Sequence, residues 1–282
     1  MVLKIGADGG NNEVKIIGPH GEMKFFSDLG EYRELIDEAK NRSGAIVYEF
    51  EGKKGFAGSL AKYESEFGGS MMGDSKAHED FKIRILIGLH LYSHYENEFC
   101  LVVGQPLGKH KKDEKTAIKS LLEGQHTIIV NDEKKDIYIK RVEVAPEGAS
   151  AFFARPIQGK VRIIDVGSGT INLATIENNR FIDRDSNTLT FGMNTTKTKD
   201  IGALSRAIIN ETSKKWSKKD KVYIVGGPAE YVLPYIQGHY HYAEVVYPIV
   251  EGLGEEEPYH VEPIFANASG FYHLAKDRFK DE

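Results

Sequence analysis

The chain has 282 residues, 40% hydrophobic and 28% charged, with a formal net charge of −5. That length suffices for one large domain or two ordinary ones, and so mild an acidic balance gives no global electrostatic case for direct nucleic-acid binding. No apolar run approaches the roughly 18–20 residues that would span a bilayer, and the N-terminus runs straight into an apolar strand with no leader, so a cytoplasmic protein with no membrane partner is expected.

Residues 4–17, KIGADGGNNEVKII, read as a strand, a polar tip and a returning strand. Gly and Asn tolerate positive φ at a hairpin tip, so a plain reversal of the chain is the first reading. The tip nevertheless opens with Asp8 and is followed by Lys15. A third strand at 22–26 leads into an irregular stretch, about 28–76, in which VYEFEGKKGFAGSLA reads as a short hairpin and a small-residue segment. Apolar residues at three- and four-residue spacing predict a helix over 76–95. Its His90 and His94 stand at i, i+4 with no third ligand, which favours helix packing over zinc. EFCLVV at 98–103 is a strand whose Cys100, the only cysteine, is read as packed in a reducing compartment. A charged helix near 111–123, strands near 126–130 and 136–144, and PEGASAFFA at 146–154 as a short helix with Pro at its first turn complete the half.

The second half repeats this order. VRIID at 161–165 is a strand, GSG a turn, INLATIE at 171–177 the returning strand, and 180–191 a third strand bent at Asp185. A helix over 197–214, the strand VYIVGG at 222–227, a short strand AEVVYP and a closing helix at 263–275 follow. HYHYAEVVY reads as an interface or a packed strand edge, and the EEE run at 255–257 as a solvated loop. The basic runs KHKK and KKWSKKDK fall at helix ends, where a solvated face is the simpler reading. Two copies of one α/β unit on this scale predict duplicated domains with a ligand cleft between them.

The two turns, ADGGNNEVKI and IDVGSGTINL, each place an Asp at the end of an apolar strand and small polar residues at the tip. Glycines let backbone N–H groups approach an anion, and Asn, Ser and Thr add donors. A carboxylate beside each grip is repulsive alone but appropriate if hydrated Mg²⁺ lies between, and Lys15 supplies a positive charge. The paired turns therefore predict a nucleotide clamp.

With these motifs the sequence resembles the actin-like ATPases of the actin/Hsp70/sugar-kinase superfamily. DGGNNEVK resembles the first phosphate motif, IIDVGSGT the second, VYIVGGPA the adenosine motif, and PEGASAFFA and PIFANASGFY the two connecting helices. The resemblance implies a duplicated ribonuclease H-like α/β fold. Domain I would comprise 1–155 plus 264–282, with a small subdomain inserted at about 28–76, and domain II 156–263. It also implies that Asp8 and Asp165 orient Mg²⁺ through water. Gly9, Gly10, Asn11 and Asn12, with Gly167, Ser168, Gly169 and Thr170, would hold the phosphates of ATP or GTP. Lys15 would reach the β/γ end, Gly226 and Gly227 would line the adenosine, and Glu147 would polarise the attacking water. Lys15 also reads as a strand-edge charge, and Glu147 as a helix-start acid. Asn11 departs from the Ser or Thr of many members, and Pro228 follows the glycine pair.

The short join between Phe191 and Lys197 implies that the second outer subdomain, usual in actin and ParM, is missing or vestigial, an absence that resembles the AlfA type of plasmid-segregation actin. The implied function is an ATPase that polymerises head-to-tail with itself and moves plasmid or phage DNA through a DNA-binding adaptor. A small-molecule kinase of the same fold is the alternative, and a binding module without hydrolysis a third reading.

Overall fold

The computed structural model describes residues 2–36, 44–69, 75–251 and 257–282, which form two compact units. The first holds 1–103, 111–144 and 275–282, the second 104–110 and 145–274. Parts of the 28–76 insertion (37–43 and 70–74) and most of the EEE run lie outside the described residues.

In the first unit, alternating apolar residues build β1 (Val2–Gly9), β2 (Glu13–Gly18) and β3 (Gly21–Phe26) as an antiparallel meander. The chain continues through β4 (Leu29–Glu31), β5 (Ala45–Phe50) and β6 (Lys53–Gly58) to α1 (Ser59–Glu64) and α2 (Glu79–Tyr92). Then come β7 (Glu98–Gln105), α3 (Lys112–Leu122), β8 (Gly124–Val130) and β9 (Glu133–Pro146). One sheet runs β3-β2-β1-β7-β9-β8-β5-β6-β4. β7 joins β1 in parallel, so β1 is buried on both sides and reads as a nearly continuous apolar run. The expected hairpin in the insertion is β5–β6, turned through Glu51 and Gly52 at positive φ, and β5 pairs with β8 as part of the same sheet. α2 is apolar on nearly every side, and Phe81, Ile85, Leu86, Ile87 and Leu89 are all fully buried. Its start is set by His78, whose ring accepts the Phe81 N–H.

The second unit repeats the plan. β10 (Lys160–Val166) pairs antiparallel with β11 (Ile171–Glu177) and parallel with β14 (Lys221–Val225), as β1 does with β2 and β7. The third strand of this half is broken by a 3-10 turn at Asp183–Asp185 into β12 (Arg180–Phe181) and β13 (Asn187–Leu189). α4 (Ile201–Thr212) starts later than 197 because Asp200 caps it, its carboxylate accepting the Ala203 N–H at 3.0 Å. α5 (Ala229–Gln237) was not foreseen, its pattern being interrupted by Pro234. β15 (Tyr242–Val245) lies beside β14, and β16 (Ile249–Val250) pairs with β17 (Tyr259–His260).

Two expected helices differ in form. Pro146 ends β9 instead of opening a helix, and Gly148, at φ 73, separates it from a 3-10 helix over Ala149–Ala154. The closing helix begins with a 3-10 turn at Pro263–Phe265 and continues as α6 (Ala266–Arg278). These two segments meet at backbone distance: a Cβ at Gly270 would stand 1.9 Å from the Ser150 carbonyl oxygen. No helix among the described residues is long and apolar enough to cross a membrane.

Candidate functional site

In the first unit Asp8 stands opposite Lys15 in the β1–β2 register, and the Lys15 ammonium donates to Asp8 Oδ2 at 2.9 Å. Lys76, just before α2, lies 3.7 Å from the other carboxylate oxygen. All three side chains are buried. Burial pushes the Asp8 carboxyl up, but the Lys15 and Lys76 ammoniums outweigh it and hold the group below its ordinary range. The tip itself is braced by the fully buried Ser27, whose N–H donates to the Asn12 carbonyl at 3.0 Å and whose hydroxyl donates to the Gly10 carbonyl. Gly9 is needed because a Cβ there would meet the Phe81 ring at 2.5 Å. At Gly10 a Cβ would stand 3.0 Å from Lys15 Nζ, which places that ammonium directly against the tip. Asn11 is half-buried and Asn12 exposed.

In the second unit Asp165 stands opposite Asn172, the same offset along the same kind of hairpin. Its Oδ2 accepts from Asn172 Nδ2 at 3.3 Å and from Asn267 Nδ2 at 3.0 Å. Asn267 Oδ1 in turn accepts the Gly148 N–H at 2.9 Å, and Asn172 Oδ1 accepts the Thr188 hydroxyl at 3.0 Å. The Thr188 oxygen receives the Gly108 N–H at 3.1 Å, so a continuous chain of hydrogen bonds runs through the Asp165 carboxylate. Glu147 is buried and lies next to this network, because a Cβ on the adjacent Gly148 would sit 3.7 Å from Asp165 Oδ2. Its backbone N–H is fixed by the Gln105 carbonyl at 2.9 Å.

The tip Gly167–Thr170 closes on itself through the Gly167 N–H and the Thr170 carbonyl at 3.0 Å. Its outer side is held by 192–195: the Asn194 N–H donates to the Ser168 carbonyl at 2.8 Å, and the Thr195 hydroxyl to the Gly169 carbonyl at 3.2 Å. Those bonds take up tip carbonyls. Gly226, at φ 95, approaches Val166 so closely that a Cβ would be 2.3 Å from its carbonyl oxygen, whereas Gly227 is exposed. Within this unit Asp165 and Gly226 therefore meet at the end of β10, and Glu147 precedes Gly148, which faces Asp165.

The two acids occupy equivalent positions with opposite surroundings. The Lys15 ammonium, held by Asp8 against the Gly10 tip, suits a phosphate. A buried carboxylate that accepts from two side-chain amides offers the hard oxygen that Mg²⁺ prefers, so the residues at Asp165 fit that ion. Lys76, Ser27, Asn267 and Thr188 escaped the sequence reading. Asn172 was open to it, standing seven residues after Asp165 as Lys15 stands after Asp8.

Elsewhere, no cluster of His, Cys, Asp and Glu among the described residues is arranged to hold a metal. His90 is buried in α2 with its Nε2 at 2.8 Å from the Glu133 carbonyl, and burial pushes its pKa down. Cys100 is buried on β7, which pushes its thiol up.

The family model of the actin like proteins N terminal domain matches residues 6–149, just over half of the chain. The chain belongs to the actin-like proteins. Among solved structures, this actin-like protein is similar to an AlfA filament bound to AMPPNP, with 22% identity and a TM-score of 0.75 over 100% of this chain and 99% of that one. A 15-stranded ParM filament from Clostridium botulinum gives 19% identity and a TM-score of 0.78, over 98% and 99% of the two chains. The archaeal actin homolog Ta0583 in complex with ADP gives 19% identity and 0.74, over 99% and 100%. At these identities the likeness is one of fold. No curated protein matches the sequence.

Proposed function

We propose that this protein binds and hydrolyses ATP, with GTP as the alternative base, and that the bound nucleotide controls its head-to-tail assembly into filaments. The observation that carries the reading is the duplicated hairpin, with Asp8 opposite Lys15 in one copy and Asp165 opposite Asn172 in the other. Membership of the actin-like family supports it, as do similar folds in an AMPPNP-bound AlfA filament and an ADP-bound archaeal homolog.

In this reading Lys15 and the backbone of 9–12 bind phosphate oxygens, and Gly167–Thr170 serve the same purpose in the second unit. Magnesium, when bound, neutralises phosphate charge. Asp165, oriented by Asn172 and Asn267, and Asp8 would hold that ion through water, and Asp8 also keeps the Lys15 head in place. Glu147 orients the attacking water with its carboxylate, and Gly226 and Gly227 border the adenosine. Phosphoryl transfer needs positioning and charge neutralisation more than covalent chemistry, so this set suffices.

Head-to-tail contacts that do not close give open filaments. The protein would work in the cytoplasm on plasmid or phage DNA, and the net charge of −5 favours contact through a DNA-binding adaptor over direct contact. Sedimentation at micromolar protein, with and without Mg-ATP, tests the reading together with phosphate release. A pellet and phosphate release that both depend on nucleotide are expected. Neither appearing would overturn it.

A further inference from the structure

We infer that Thr188 is a positioning residue for the magnesium-facing carboxylate, acting on Asp165 through Asn172. This rests on the nucleotide reading above and adds a residue to that site. Asp165 on β10, Asn172 on β11 and Thr188 on β13 stand directly opposite one another in the strand register, so their side chains form one row across three strands. The Gly108 N–H closes the far end of the row, 3.1 Å from the Thr188 hydroxyl oxygen. All four residues belong to the second unit.

The row has a direction. The Thr188 oxygen accepts the Gly108 N–H, and its hydroxyl donates to Asn172 Oδ1 at 3.0 Å, which turns Asn172 Nδ2 toward Asp165 Oδ2 at 3.3 Å. A primary amide offers donors on one side and an acceptor on the other, so a group that donates to its oxygen settles which side meets the carboxylate. The reversed amide would set Oδ1 against Asp165 Oδ2, two acceptors with no proton between them. Asn172 is buried, so solvent is poorly placed to replace the Thr188 hydroxyl once it is removed.

The break in the third strand is what brings Thr188 to this place. β12 pairs Phe181 with Ile176, whereas β13 pairs Thr188 with Asn172, a register three residues further along. Continued without the 3-10 turn, β12 would put Asp185 opposite Asn172, and two carboxylates would face one amide. Asp185 instead lies 3.3 Å from the Arg162 guanidinium. In the first unit the third strand is unbroken, and the corresponding row reads Asp8, Lys15, Lys24. The hydroxyl therefore belongs to the second row and not to the hairpin plan itself.

Equilibrium titration of ATP at stepped free Mg²⁺ and in EDTA tests this, beside thermal unfolding of each protein without nucleotide. The proteins are the unaltered chain, Thr188→Val, Thr188→Ala, Thr188→Ser, Asn172→Ala and the double variant of Thr188→Val with Asn172→Ala. Thr188→Val keeps the shape and removes the hydroxyl. It should raise the free Mg²⁺ needed for half of the metal-dependent gain in ATP affinity by about 10-fold or more, the scale for a group that orients a metal's ligand, and leave binding in EDTA within about twofold. Thr188→Ser should restore the Mg²⁺ requirement, which a role in packing alone would not predict. Because Thr188 acts through Asn172, the double variant should need no more Mg²⁺ than Asn172→Ala alone. Thr188→Ala gives the same reading where Thr188→Val fails to fold. A folded Thr188→Val or Thr188→Ala with the Mg²⁺ requirement of the unaltered protein would overturn the inference and leave the nucleotide reading standing. An unaltered protein that binds no ATP, with or without Mg²⁺, would overturn both.

Discussion

One side-chain amide, that of Asn267 on α6, joins Asp165 to Gly148: its Nδ2 donates to Asp165 Oδ2 at 3.0 Å and its Oδ1 accepts the Gly148 N–H at 2.9 Å. Three segments far apart in sequence are thereby fixed at one carboxylate. Asn267→Ala removes both bonds and leaves a buried N–H without its acceptor, a loss of about 1–3 kcal/mol. Urea denaturation should show it as a lower midpoint with an unchanged slope. Asn267→Asp should be worse at neutral pH, because it sets a carboxylate against Asp165, and should recover part of the loss in acid.

The Asp8 ion cluster predicts an acid-sensitive component of stability. Its folded carboxyl lies below the ordinary value of 3.8, so the unfolded chain takes up that proton first as pH falls. The contribution is complete above that value and is lost as pH drops through the lower, folded one. Asp8→Asn should be destabilised at pH 7, where it leaves two buried ammoniums without their carboxylate. The gap to the unaltered protein, followed by urea midpoints at successive pH values, should stay constant down to pH 5 and narrow below 3.8.

The glycine pair at 226 and 227 should separate under the same substitution. Gly226→Ala forces an L side chain to φ 95 with its Cβ 2.3 Å from a carbonyl oxygen, so the strand end must move. Gly227→Ala meets only the Ile264 methyl, at 3.5 Å. Thermal unfolding should show a fall of several degrees for the first and little change for the second. Equal effects would mean that neither backbone strain nor the Val166 contact governs the position.

Glu147→Gln should keep the fold and bind ATP within a few-fold of the unaltered protein while lowering phosphate release by about 100-fold or more, the usual scale for a group that prepares a nucleophile. Filaments made with the variant should persist longer after free nucleotide is removed, as followed by light scattering. Unchanged turnover would remove Glu147 from the chemistry and leave it as a buried acid beside the 3-10 turn.

The two hairpins, with Asp8, Lys15 and Asp165 in them, were legible because strand periodicity and the Gly-rich tips are local signals. Membership of the actin-like family was legible from the order of motifs. α5 was not, since Pro234 breaks the pattern that would announce it. Pro146 misled for a related reason: proline suits a helix start, but here it ends β9 and Gly148 makes the turn. Ser27, Lys76 and Asn267 were invisible as site residues, because each reaches its partner only after long-range strand pairing or helix docking. A buried lysine and an exposed one are spelled alike.

The parallel pairing of β1 with β7 also has a bearing on how the chain is made. Val2 lies opposite Glu98 and Ala7 opposite Val103, so a nascent chain carries the first meander with one open, apolar edge until residue 105 has emerged. An edge of that kind pairs with whatever strand it meets. Synthesis that stalls between β3 and β7 should therefore yield fragments that aggregate or occupy chaperones, and a protein needed in many copies at once would gain from rapid translation across that interval.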